Sequence, residues 1–142
     1  MYAHNQYYER PVMPKFGKSS LRNLAEVDID LQRLFKRVVE TYDCSIIEGY
    51  RSKEKQDEYF EQGKSKLKYP ASKHNRQPSL AVDAVPYPCD WENMKQFYHF
   101  GGFVMATAKE MGIGLRWGGD WDMDRIFTDQ SFHDLPHFEL KD

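Results

Sequence analysis

The sequence predicts a single α+β domain on three observations. Two segments carry the three-and-four apolar spacing of helices, and short β-like runs lie between and after them. No repeat, low-complexity tract or second block of composition divides the chain. Its 142 residues suit one compact domain that buries about 70% of its unfolded surface.

Residues 1–15 hold two prolines, Tyr2, His4, Tyr7 and Tyr8 without any period, and are expected to form an extended arm ahead of a domain at 16–142. From Ser20 to about Tyr42, Leu21, Leu24, Leu31, Leu34, Phe35 and Val38 lay one stripe along a helix. Residues 44–51 form a buried strand with Arg51 at its end, and Ser52 caps a helix that stops near Gly63. Residues 64–80 are polar, basic and interrupted by proline, which predicts a long surface loop.

A β-like run follows at 80–86, with Asp83 on the same side as Ala81 and Val85. After Trp91 a helix extends to about Met111, with Met94, Phe97, Val104, Ala108 and Met111 facing the core and Gly112 as its stop. Gly101-Gly102 inside it implies close packing or a kink. The tail gives a strand at 114–117, an acidic loop from Asp120 to Asp129, and a last strand at 137–140. Trp117 and Trp121 bracket Gly118-Gly119, one suited to line a groove and the other to pack.

Composition removes several classes of function. Aromatics at 15% and apolar residues at 40% argue against disorder, and a net charge of −2 offers no general attraction to nucleic acid or an anionic membrane. No run approaches the ~20 apolar residues of a membrane span, and the N-terminus has no apolar signal core, so the protein is expected to start in a cytoplasm. Cys44 and Cys89 fit neither a zinc knuckle nor a disulfide framework and are expected to be reduced small hydrophobes.

Five histidines are present, and His74 and His137 stand where a metal would explain them. If the chain doubles back between His74 and Asp83, imidazole and carboxylate converge; Leu135-Pro136 can swing Asp134 and His137 inward. Two His and one Asp with water in the fourth position form a catalytic zinc arrangement, in which Asp134 is placed to take the proton. The same residues also suit a surface imidazole, a turn-capping Asp83 and an Asp134 that merely precedes the turn. Glu139 shares the strand face of His137 and suits either ligand orientation or a salt bridge. Asp120, Asp122 and Asp124 alternate like the start of a calcium loop, but Arg125 and the lack of a closing Glu make a solvated acidic loop the default.

Gly49-Tyr50-Arg51-Ser52 with Gln56, Ser72-x-His74 leading to Ala81-x-Asp83, and Asp134-x-x-His137 together resemble the phage L-alanyl-D-glutamate endopeptidases. These group with the VanY-like D-Ala-D-Ala carboxypeptidases among the hedgehog/DD-peptidase-fold zinc enzymes. The resemblance runs from about Phe16 to Leu140 and implies a small antiparallel sheet packed with helices. It implies Zn²⁺ held by His74, Asp83 and His137, with Asp134 as the catalytic carboxylate and Arg51 as a substrate or oxyanion donor. Gln56, Ser72 and Trp117 are assigned to substrate binding beside Arg51. The family pattern has glycine where Ser79 stands and a shorter spacing from His to Asp.

The implied function is a phage endolysin that hydrolyses the L-Ala-D-Glu bond of peptidoglycan stem peptides. It is expected to act as a monomer, held in the host cytoplasm until lysis and then working on periplasmic peptidoglycan, without nucleic acid or membrane insertion. The basic loop residues Lys64, Lys66, Lys68, Lys73 and Arg76 suit such carboxylate-bearing peptides and equally suit a solvated loop. The alternatives are a D-Ala-D-Ala carboxypeptidase with the same metal residues, and a catalytically silent, metal-stabilised binding domain for cell wall or protein.

Overall fold

The computed structural model describes residues 14–128 and 132–142, so His4, Asp129 and nearly all of the expected arm lie outside the described residues. The elements are α1 (Lys18–Leu24), α2 (Ile29–Thr41), β1 (Cys44–Glu48), α3 (Lys53–Glu61), β2 (Ala81–Pro86), α4 (Met94–Glu110), β3 (Leu115–Trp117) and β4 (His137–Leu140). The strands form an antiparallel sheet in the order β1-β2-β4-β3, which gives the α+β architecture.

The single helix expected from Ser20 to Tyr42 is in fact two helices. Asp28 caps α2 by accepting from the Asp30 amide at 2.9 Å, while its own amide donates to the Ser79 carbonyl at 2.8 Å. Ser79 N in turn donates to Glu26 O at 2.9 Å, so the backbone of 26–28 pairs with the long loop instead of continuing a helix. Leu24, Val27 and Leu31 are all buried, and the apolar stripe therefore passes through the break. Leu21 is not on that stripe, being 49% exposed. Met94 also faces solvent, because it is the first residue of α4; Phe100 and Gly101 take the core positions further along.

The sheet's pleat separates core from site. Val82, Phe138 and Trp117 are register partners in one row, all buried on the side of α2 and α4. Phe138 meets Phe35 edge to face at 5.6 Å and stacks on Trp117 at 6.3 Å. Gly101 lets α4 approach this row, since a Cβ there would lie 2.2 Å from the Trp117 ring. The opposite face carries Glu48, Asp83 and His137 as successive cross-strand partners, with Glu139 opposite Arg116 beside them.

Candidate metal centre and cleft

Asp83 and His137 meet because they are direct partners between β2 and β4, where facing side chains lie closest. His74 arrives from the long loop on a short 3₁₀ turn, Lys73–Asn75. The Ser72 hydroxyl accepts from His74 N at 3.2 Å and the Asn75 side chain accepts from Ser72 N at 3.1 Å, closing a capping box. Arg51 N donates to His74 O at 2.8 Å, which ties the turn to the end of β1.

Three atoms converge: His74 Nε2 lies 3.2 Å from Asp83 Oδ1 and 3.3 Å from His137 Nδ1, and His137 Nδ1 lies 3.3 Å from Asp83 Oδ1. Each imidazole presents its other nitrogen to an acceptor. His74 Nδ1 is 2.7 Å from Gly49 O, and His137 Nε2 is 2.8 Å from Glu139 Oε1. With those nitrogens protonated, the three convergent atoms are all acceptors, an arrangement that calls for a cation or a proton. A tetrahedral zinc with bonds of ~2.0–2.1 Å holds its ligand atoms ~3.3 Å apart, so the triangle fits that ion.

Electrostatics within the triangle follow from burial and charge. Burial pushes Asp83 upward, but the two imidazoles outweigh it and hold the carboxyl well below the usual range. Burial opposes charge on His137 as well, yet its hydrogen bonds to Asp83 and Glu139 raise it to about 9. Glu139 falls to about 2 despite its own burial, because His137 and Arg116 favour its carboxylate. Arg116 Nη2 donates to Glu139 Oε2 at 2.8 Å.

Asp134 stands at the edge of the triangle, its Oδ2 4.0 Å from His137 Nδ1 and its side chain about a third exposed. Burial and the nearby Asp83 charge raise its pKa, which suits a carboxylate that must accept a proton. The Asp134–His137 turn is held from both sides: Asp134 N donates to Gly118 O at 2.9 Å, and Trp117 Nε1 donates to Leu135 O at 2.8 Å. Gly118 has no alternative, since a Cβ would sit 2.1 Å from the Asp134 carbonyl oxygen.

A cleft of about 880 Å³ opens over the centre, walled by Arg51, Tyr59, Ser72, Trp91, Trp121 and Phe132 among others. Arg51 is buried, donating Nη2 to Glu48 at 2.5 Å and Nη1 to Gln56 Oε1 at 3.0 Å, with Asp83 Oδ2 4.0 Å away. Gln56 does not reach the cleft: it is fully buried and also donates to Leu67 O at 2.6 Å, so it fixes Arg51 and the loop. Ser72 lines the cleft, with its hydroxyl committed to the His74 turn.

Trp117 requires a correction. At 2% exposure it belongs to the core, because β3 alternation turns it away from the cleft; Trp121 supplies the indole there instead. Trp121 lies 5.5 Å from the His137 ring and under the Arg116 guanidinium at 5.2 Å. The sequence allows either tryptophan to line the groove and the assignment falls on Trp117; strand parity at 115–117 is the signal that points to Trp121 instead.

The remaining candidates sort clearly. Ser79, standing where the family pattern has glycine, is fully buried and donates to Ala81 O at 2.6 Å, so the larger residue is accommodated by hydrogen bonding. Cys44 packs in the core and burial pushes its thiol up to about 12, whereas Cys89 is exposed. His133 and His99 are exposed, facing the Tyr98 and Tyr42 hydroxyls at 3.4 and 3.0 Å. Asp120, Asp122 and Asp124 cluster within 4.8 Å; Asp120 is buried, not solvated, and the other two are exposed.

Comparison with known proteins gives a consistent result. Residues 12–141 match the family described as phage L-alanyl-D-glutamate peptidase. The L-alanyl-D-glutamate peptidase of Escherichia phage T5 is 34% identical over 134 residues, covering 89% of this chain and 97% of that protein. The crystal structure of Serratia marcescens L-Ala D-Glu endopeptidase ChiX superposes with a TM-score of 0.70 at 28% identity, covering 98% of this chain and 96% of that one.

Proposed function

This chain belongs to the phage L-alanyl-D-glutamate peptidase family, and we propose that it is a zinc-dependent endolysin that hydrolyses the L-Ala-D-Glu amide of peptidoglycan stem peptides. The observation that carries the reading is the acceptor triangle of His74, Asp83 and His137 with Asp134 at its edge. Zinc bound there would supply a water made acidic at neutral pH and polarise the scissile carbonyl.

The chain's own residues do the rest. Asp134 accepts a proton from the attacking water and delivers it to the amine nitrogen as the C–N bond breaks. Arg51, fixed by Glu48 and Gln56, holds positive charge beside Asp83 and faces the carbonyl oxygen where negative charge develops. His74 and His137 are held in one tautomer each by Gly49 O and Glu139, so both lone pairs point inward without reorganisation. The protein works as a monomer, waiting in the host cytoplasm until lysis opens its way to the wall.

Digestion of purified muropeptides followed by mass spectrometry tests the cleavage site. Release of stem peptides beginning at D-Glu supports the proposal, whereas loss of a single terminal alanine identifies a carboxypeptidase. Asp134→Asn should keep its zinc by elemental analysis while turnover drops by roughly 10²–10⁴-fold. A silent binding domain would show no turnover to lose.

A further inference from the structure

The basic residues of the 64–80 loop are not equivalent. Lys73 is committed to Asp142 at 3.2 Å, to Glu139 at 3.7 Å and to the Leu140 carbonyl. Lys68 sits over Phe60 and, like Arg76, lies outside the cleft wall. Lys64 and Lys66 do line the cleft, and Lys55 joins them from α3. All three are exposed, and among the described residues none has a carboxylate within 4.0 Å, in contrast to Lys53 with Asp57, Arg51 with Glu48 and Arg116 with Glu139.

Aromatic rings gather these cations. Arg51 Cζ, Lys55 Nζ and Lys64 Nζ lie 4.7, 5.5 and 5.6 Å from the centre of the Tyr59 ring, and Lys66 Nζ lies 4.8 Å from Phe132, two residues before Asp134. The ring faces attract each cation, and the like charges that share the Tyr59 ring repel one another unless an anion joins them. The wall of one cleft thus holds the acceptor triangle, Arg51, Tyr59 and three ammonium groups that no described carboxylate neutralises.

We propose that Lys55, Lys64 and Lys66 form an anion subsite that takes a free carboxylate of the peptide substrate, an inference that rests on the peptidase reading above. The chemistry matches: glutamate has two carboxyl groups beyond its scissile amide, and continuing the peptide uses one. A free carboxylate therefore stands next to the cut, and the following residue adds a second when its side chain is acidic. Ammonium groups on flexible stems suit such a ligand, whose distance from the scissile bond differs between these two sources.

Four synthetic peptides distinguish the sources: the free glutamate carboxylate intact or amidated, each combined with a following residue that has or lacks a side-chain carboxylate. Cleavage by the zinc-loaded protein is compared with Lys55→Met/Lys64→Met/Lys66→Met, and binding of the product peptides is titrated in parallel. Removing the carboxylate that is read should cost the unsubstituted protein about tenfold in kcat/KM, mainly through KM, a step of ~1.4 kcal/mol. The triple variant should show no such preference, and its product affinity should fall by a similar factor. Equal cleavage of all four peptides, or a preference that survives in the triple variant, overturns the subsite and leaves the peptidase reading intact. Lysine-dependent, carboxylate-dependent binding with no cleavage of any peptide supports the subsite and removes the peptidase reading.

Discussion

The two ring nitrogens of His137 have different tasks: Nδ1 faces Asp83 and His74 while Nε2 is held by Glu139, itself anchored by Arg116. Glu139→Gln keeps the shape but weakens the hold on the tautomer, so zinc affinity should fall about 10–100-fold in a competitive chelator titration with the fold unchanged. A pH dependence follows from the same residue. In metal-free protein His137 is raised from 6.5 to about 9. Its contribution to stability is fully present below pH 6.5 and lost as pH rises through about 9. Zinc must displace that proton, so its affinity should climb across this window with proton release, measurable by calorimetry in buffers of different ionisation enthalpy. A zinc affinity flat from pH 6.5 to 9 would contradict it. The triangle itself was legible because its residues fall in separated motifs in one order; the Gly49 carbonyl and the Ser79 hydroxyl were not, since backbone acceptors and buried hydroxyls leave no mark on spacing.

Between strands, the Asp134–His137 turn carries the proposed base, and its position depends on Gly118 more than on its own residues. Gly118→Ala should push the Asp134 carbonyl away from its 2.1 Å clash and misplace the carboxylate. A shift near 1 Å costs on the order of 10²-fold in rate, so kcat/KM should drop by about that factor while zinc content holds. Unaltered kinetics would show that the turn tolerates the displacement. The strands and α3 were readable from alternation and from Ser52 as cap, which accepts from Lys55 N at 3.2 Å. The α1–α2 break was not, because Leu24, Val27 and Leu31 preserve helical spacing across a backbone that pairs with a distant loop. Met94 fails because apolar periodicity marks a face but not where along it the neighbouring element ends, and Leu21 fails because the buried face of α1 passes through Ser20 and Leu24 instead.

For the molecule as a whole, the proposed ion joins the long loop to two strands of the sheet, so its binding should stabilise the folded state. At free zinc about 1,000-fold above Kd the gain is ~4 kcal/mol, and chelation should lower Tm in proportion to the logarithm of free metal. A Tm indifferent to chelator would separate the triangle from metal binding. The register that creates the triangle also creates the interior: Phe138 enters the core only when its neighbours His137 and Glu139 point the other way. A slip of one position in β4 would expose an aromatic ring to water and bury an imidazole and a carboxylate in hydrocarbon. The strand register that closes the interior is thus the one that assembles the proposed metal centre, and uptake of zinc during refolding should report whether β4 has docked in phase.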